Sequence, residues 1–192
     1  QIRGGCHPAQ LRLAQAALIA QQLPAQGVRA SERRHNAPSI PPASSMAERF
    51  LKSLPFTPTA AQERVGQELA ADMAKDLPML RLVQGDVGSG KTLVAASAAL
   101  DTIGAGYQVA FMAPTELLAE QHHANLSDWF EPLGQPVAWL SGRTKGKARA
   151  AVLEKLASGR VPIVVGTHAL FQDDVEFENL GLIVVDEQHR FG

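Results

Sequence analysis

The chain has 192 residues and a formal net charge of −1, with 45% apolar, 5% aromatic and 19% charged residues. This length suits one domain or slightly more at about 150 residues per domain, and the apolar fraction is enough for a core. The near-zero charge gives no bulk signal for nucleic-acid binding, and no apolar run reaches the roughly 20 residues that span a bilayer. The single cysteine, Cys6, cannot form an intrachain disulfide, which fits a reducing, cytoplasmic setting.

In chain order, His7-Pro8 precedes and Leu23-Pro24 ends a predicted helix over 9–23. Arg12 and Gln15 interrupt its apolar stretch Leu11 to Ala20, so it reads as an amphipathic helix and not as a secretion signal. From Pro24 to Ser45, Pro38, Pro41 and Pro42 discourage regular structure, and Arg29, Arg33, Arg34 and His35 cluster in what reads as a solvated linker. A short helix near Met46 to Ser53 leads through Leu54-Pro55-Phe56-Thr57-Pro58 to Thr59. Thr59 is placed to cap a helix running through Ala74, with Gln62 and Glu63 on its first turn.

Arg81-Leu82-Val83-Gln84 is the next predicted strand, and it runs into Gly85-Asp86-Val87-Gly88-Ser89-Gly90-Lys91-Thr92, which fits G-x-x-x-x-G-K-[ST]. Glycine at 85, 88 and 90 permits backbone angles that let successive N–H groups curl around phosphates, and the helix starting near Gly90 adds the positive end of its dipole. In that pattern Lys91 reaches the β- and γ-phosphates and the Thr92 hydroxyl ligates magnesium. A glycine-rich turn before a helix can be only a turn. Eight matching positions between a strand and a helix favour phosphate binding.

Gly104 and Gly106 turn the chain into a strand over Gln108 to Ala113, followed by a helix from Thr115 to Phe130. Pro132 and Gly134 precede a strand near Val137 to Leu140, and the loop Ser141 to Gly146 opens a helix to Ala157. Arg143, Lys145, Lys147 and Arg149 form a local basic run there, readable either as a solvated face or as a phosphate contact. The strand Pro162 to Val165 follows, and then the fully apolar Leu182-Ile183-Val184-Val185, which suits a central parallel strand buried on both faces. Asp186 at its carboxyl end stands where open α/β sheets place ligands, suited to hold magnesium through water, and Glu187 is suited to polarise an attacking water. An Asp-Glu pair after an apolar run is weak by itself. After a phosphate loop in the same chain it points to a nucleoside triphosphate hydrolysed with magnesium. Five strands alternating with helices imply an α/β fold, a parallel sheet flanked by helices in the manner of P-loop NTPases, preceded by a helical and linker segment.

Several long segments carry a further resemblance. Leu-Pro-Phe-Thr-Pro-Thr-Ala-Ala-Gln (54–62), Met-Leu-Arg-Leu-Val-Gln-Gly-Asp-Val-Gly-Ser-Gly-Lys-Thr (79–92), Ala-Pro-Thr-Glu-Leu-Leu-Ala-Glu-Gln-His (113–122), Val-Gly-Thr-His-Ala-Leu-Phe-Gln (165–172) and Asp-Glu-Gln-His-Arg-Phe-Gly (186–192) resemble the RecG family of bacterial ATP-dependent DNA helicases, of the superfamily-2 motor class. The likeness runs from about Phe50 to Gly192. It implies that 46–192 is the first RecA-like, ATP-binding domain, truncated at its end, and that 1–45 joins it to a preceding DNA-branch-binding region. The chain opens on Gln1 and stops just after Asp-Glu-Gln-His, so it is expected to be a piece of a larger protein.

The resemblance also assigns roles. Gln62, on its own residues an ordinary exposed glutamine at a helix start, resembles the glutamine that reads adenine, with Phe56 and Thr59 framing the base. Pro114, Thr115 and Glu116 resemble one segment that touches a DNA strand, where a helix N-terminus offers N–H groups to phosphate. Gly166, Thr167 and His168, otherwise an ordinary strand-to-helix turn, resemble the next. His189, otherwise a polar surface residue, resembles the histidine that links the γ-phosphate state to movement. Implied partners are ATP with Mg2+, branched or duplex DNA, and a second RecA-like domain of the same full-length chain that supplies arginines across the cleft; the piece alone is expected to be nearly inactive. Two readings stand beside this one: a transcription-repair coupling translocase, which differs in its protein partner, and a non-catalytic P-loop nucleotide-binding module.

Overall fold

A computed structural model describes residues 37–41, 45–86 and 88–186. The helix expected over 9–23, the arginine cluster of the linker, Val87, Glu187 and His189 lie outside the described residues. The described residues fall into two compact units that divide between Tyr107 and Gln108.

The first unit is helical. It contains α1 (Ser45–Ser53), α2 (Ala60–Met73) and α3 (Lys91–Gly104), and α1 and α2 each pack against α3. Helix α3 is buried along most of its length through Leu93, Val94, Ala96, Ala99 and Leu100, and its alanines let neighbours approach closely. Phe50 from α1 and Leu69 and Met73 from α2 complete this core. Helix α2 starts as expected at Thr59, in a reciprocal capping box: Gln62 N donates to Thr59 Oγ1 at 3.3 Å, and Thr59 N donates to Gln62 Oε1 at 2.8 Å.

The strand expected over Arg81 to Gln84 is absent: residues 78–86 have no strand assignment, and Leu82 is 68% exposed. Apolar sequence supplies strand propensity, but a strand exists only where a neighbour completes its ladder. Arg81 is instead tied to α2, donating from Nη1 to Glu68 Oε2 at 2.8 Å, from Nε to Asp72 Oδ2 at 2.9 Å, and from Nη2 to the same oxygen.

The second unit is a four-stranded, wholly parallel sheet in the order β2-β3-β1-β4, built from β1 (Gln108–Met112), β2 (Val137–Leu140), β3 (Ile163–Gly166) and β4 (Leu180–Val185). Helices α4 (Glu116–Phe130) and α5 (Gly146–Ala157) pack on the sheet. Side chains alternate between its faces. One face joins Ala110, Met112, Leu140 and Val164 to Leu156 of α5 and to Leu170, Val175 and Phe177 of the following connection. Phe111 belongs to the alternate set, where its ring meets that of His122 on α4 at 4.8 Å between centroids. Strand β4 differs from expectation. It lies at one end of the sheet among the described residues, and beyond Leu180 it is half-buried because β1 is its one neighbour there. Among the described residues no helix is long and apolar enough to cross a membrane.

Gln108 closes the base of this sheet. Its buried amide Nε2 donates to Leu156 O at 3.0 Å and to Val161 O at 2.9 Å, while its Oε1 accepts from Asn179 N at 3.0 Å. All of the amide's main capacity is used, as burial demands. Gln108→Leu keeps the volume but strands these backbone groups, and it is expected to cost about 2–3 kcal/mol in denaturant unfolding. A second expectation concerns Asp72. Hydrogen bonds from Lys75, and then from Arg81, hold its carboxyl below the ordinary value of 3.8. The stabilisation is therefore complete above 3.8 and is lost as pH falls from there through the lower folded value. The stability gap between the wild type and Asp72→Asn, followed by denaturant unfolding from pH 6 downward, should close only below that point.

Candidate functional site

Each unit carries its own share of the residues singled out by the sequence. In the first, the glycine-rich loop leads from residue 85 into α3. Ser89 N donates to Asp86 O at 3.1 Å, which closes a tight turn. Gly88 and Gly90 have φ of 82° and 79°, the left-handed region that side chains resist. Gly90 also caps α3, its carbonyl accepting from Leu93 N at 3.0 Å and Val94 N at 3.3 Å. Lys91 folds back over the loop, its Nζ donating to Gly85 O at 2.6 Å and Asp86 O at 2.9 Å. The ammonium and the start of a helix thus converge on one short turn, a combination suited to a phosphate chain.

Gln62 belongs to the same cluster. While its Oε1 serves the capping box, its Nε2 donates to Ser89 O at 2.9 Å. Helix α2 is thereby fastened directly to the loop, a contact that sequence spacing does not reveal. A Cβ on Gly90 would fall 2.1 Å from that Nε2, and a Cβ on Gly85 would fall 2.6 Å from Ser89 Oγ. The loop is a cradle closed to side chains at these two positions. Phe56, on the approach to α2, is 51% exposed.

In the second unit, parallel pairing sets the carboxyl ends of β1, β3 and β4 along one edge of the sheet. Asp186 follows β4, held by its N–H donating to Met112 O at 2.9 Å. Its Oδ2 lies 2.6 Å from His122 Nε2. Thr115 follows β1 and caps α4, its Oγ1 accepting from Leu118 N at 3.3 Å. Glu116 pairs with Arg143 at 2.7 Å. Gly166 ends β3 so close to β2 that a Cβ would lie 1.9 Å from Leu140 O, so packing alone requires glycine there. Thr167 is buried with no hydrogen-bond partner for Oγ1 among the described residues, while His168 is exposed.

The basic run at 143–149 is less available than its sequence suggests. Arg149 donates to both oxygens of Asp174, at 3.0 and 2.7 Å, and to Gln172 Oε1 at 2.7 Å, and it holds the Asp174 carboxyl below its ordinary value. His122, which contacts the candidate site residue Asp186, has no role in the reading of the sequence. The signal was present: Ala119, His122, Leu126 and Phe130 form the buried stripe of α4 at spacings of three and four, with one polar member. Among the described residues there is no group of three or more His, Cys, Asp or Glu able to cage a metal. The hydroxyl of Thr92 in the first unit and the carboxylate of Asp186 in the second are each hard oxygen donors, of the kind that magnesium takes.

Comparison with known proteins adds to this geometry. The DEAD/DEAH box helicase family pattern matches residues 59–192. The chain is 58% identical over 188 residues to the ATP-dependent DNA helicase RecG of Pasteurella multocida (strain Pm70), covering 98% of this chain and 27% of that protein. It is 46% identical over 181 residues to the RecG of Thermotoga maritima, covering 94% of this chain and 23% of that one. Among solved structures, it superposes with a TM-score of 0.81 on RecG bound to a three-way DNA junction, at 46% identity, covering 96% of this chain and 25% of the other. The chain thus spans about a quarter of the length of these relatives, and its sheet with flanking helices is RecA-like.

The loop geometry separates Gly90, which the pattern requires, from Gly88, which it leaves open. Gly88→Ala adds backbone strain with nothing within 4 Å of the new methyl, whereas Gly90→Ala adds comparable strain and drives Gln62 off Ser89. Gly90→Ala is therefore expected to weaken a fluorescent nucleoside triphosphate about tenfold more than Gly88→Ala does, one hydrogen bond's worth, by equilibrium titration.

Proposed function

This chain belongs to the DEAD/DEAH box helicase family, and we propose that it is the ATP-binding part of a bacterial DNA motor that remodels branched DNA, such as replication forks and Holliday junctions, in recombination and repair. The observation that carries the proposal is the RecG likeness, which extends over 96% of the chain in three dimensions and 98% in sequence, and the glycine-rich loop before Lys91 and the carboxylate of Asp186 support it. On this reading residues 46–192 are the first RecA-like domain and 1–45 a connecting segment. A second RecA-like domain of the full-length chain supplies the arginines that complete the site, and the protein works in the bacterial cytoplasm.

The roles follow from the chemistry of each group. The loop from Gly85 to Gly90, with Val87 among its residues, offers backbone N–H groups to the phosphates, and Lys91 adds a positive charge. Lys91 Nζ is already shared between two carbonyl oxygens, so it can exchange those bonds for phosphate without crossing the loop. Gln62 reads the adenine edge, with Phe56 and Thr59 beside it. Thr92 and Asp186 would hold magnesium, which when bound neutralises charge on the triphosphate. Glu187 orients the attacking water and His189 answers to the γ-phosphate state. Hydrolysis on these terms is mostly positioning and charge stabilisation.

DNA is met at the other strand ends. The first turn of α4, at Pro114, Thr115 and Glu116, offers main-chain N–H groups to a strand phosphate. The Thr115 hydroxyl is committed to its cap and Glu116 to Arg143, which leaves the backbone to make that contact. Gly166, Thr167 and His168 form the second contact, where His168 is the exposed side chain.

The test is ATP turnover by the full-length protein with and without a synthetic three-way DNA junction. Strong stimulation by the junction, reduced to background in Lys91→Ala, is expected. Turnover indifferent to DNA would overturn the proposal in favour of a motor governed by a protein partner.

A further inference from the structure

We infer that His122 is a positioning residue for Asp186. Helix α4 carries it into the sheet side of the unit, where its side chain is 11% exposed and its ring lies against Phe111. The Asp186 carboxylate can only accept, so Nε2 carries the proton and donates to Oδ2 at 2.6 Å. The ring's other nitrogen, Nδ1, is buried and has no hydrogen-bond partner among the described residues. A histidine kept only for packing has no reason to sit in this orientation. Leucine or methionine would fill the space beside Phe111 and leave no buried polar atom behind. The ring accepts one unsatisfied atom in order to hold the other on Asp186.

The carboxylate needs such a partner because of where it stands. Asp186 is the first residue past β4, its N–H is fixed to Met112 O, and its side chain is 27% exposed. The backbone is anchored at its N–H, and the Nε2–H bond fixes the side chain at Oδ2. Groups of this kind, one step behind a metal-binding carboxylate, typically change metal affinity or activity by 10–100-fold when removed. The inference rests on the reading of Asp186 as a magnesium ligand. It adds that α4, whose first turn is read as a strand contact at Thr115, holds that ligand two turns further on.

The experiment uses the full-length protein and follows the Mg2+ dependence of binding of a fluorescent ATP analogue, in the wild type, His122→Leu, His122→Gln and Asp186→Asn. The expected result is a rise of about tenfold in the half-saturating Mg2+ concentration for His122→Leu. His122→Gln, whose Nε2 reaches nearly as far as that of histidine, is expected to recover to within about threefold of the wild type. Thermal unfolding of His122→Leu should be unchanged or raised, because the variant removes a buried orphan atom. Magnesium dependence unchanged in His122→Leu would overturn the inference, as would equal losses in the leucine and glutamine variants. If binding by the wild type itself does not depend on Mg2+, or Asp186→Asn leaves it unaltered, the failure lies with the reading of Asp186 and not with its partner.

Discussion

Parallel pairing of β1 with β3 on one side and β4 on the other is the constraint from which the second unit's functional layout follows. In a parallel sheet all strands leave at the same edge, so residues far apart in sequence arrive together there. Thr115, Thr167 and Asp186 are such residues, each at or just beyond the carboxyl end of its strand. The register does the fine placement. Met112 pairs with Gly166 on one side and Val185 on the other, and its carbonyl then takes the N–H of Asp186. A shift of one residue would turn every alternate side chain of a strand to the wrong face and carry Asp186 away from His122.

The loop of the first unit works on a different principle, in which backbone shape is maintained by contacts at its two flanks. On one side Gln62 reaches from the start of α2 to Ser89. On the other, the segment entering the loop is pinned to α2 through Arg81 and the carboxylates of Glu68 and Asp72. One helix therefore braces both the approach to the glycine-rich loop and the loop itself. The exposed pairs are individually weak in water, and their value is geometric: two carboxylates on successive turns face one guanidinium.

How much of this was legible in sequence depended on whether the cause was local. Caps and turns are local, and Thr59, Thr115, Gly90 and the strand-to-loop step at Asp186 lie where short patterns place them. Strand existence is not local. Arg81 to Gln84 is as strand-like in composition as Leu182 to Val185, yet only the second run has a ladder, and among the described residues that run stands half-buried at the sheet's end with β1 as its neighbour. The basic run at 143–149 misleads for the same reason, since Asp174 and Gln172, which satisfy Arg149, are separated from it by 25 and 23 residues. The pair His122–Asp186 spans 64 residues, and only the odd polar member of an apolar stripe hinted at it.

The Gln108 clamp bears on the order in which this sheet comes together. Its three bonds close chain separations of 48, 53 and 71 residues, so the full set cannot form until β3 and β4 have joined β1. Contacts with such long loops are entropically costly to make early and belong to the native side of the folding barrier. A late-forming contact of this kind leaves the folding rate nearly untouched and instead slows the escape from the folded state. Its effect is read on the unfolding arm of a chevron plot. The buried amide at the base of the sheet thus acts as a latch on the lifetime of the fold, fastened last and released first.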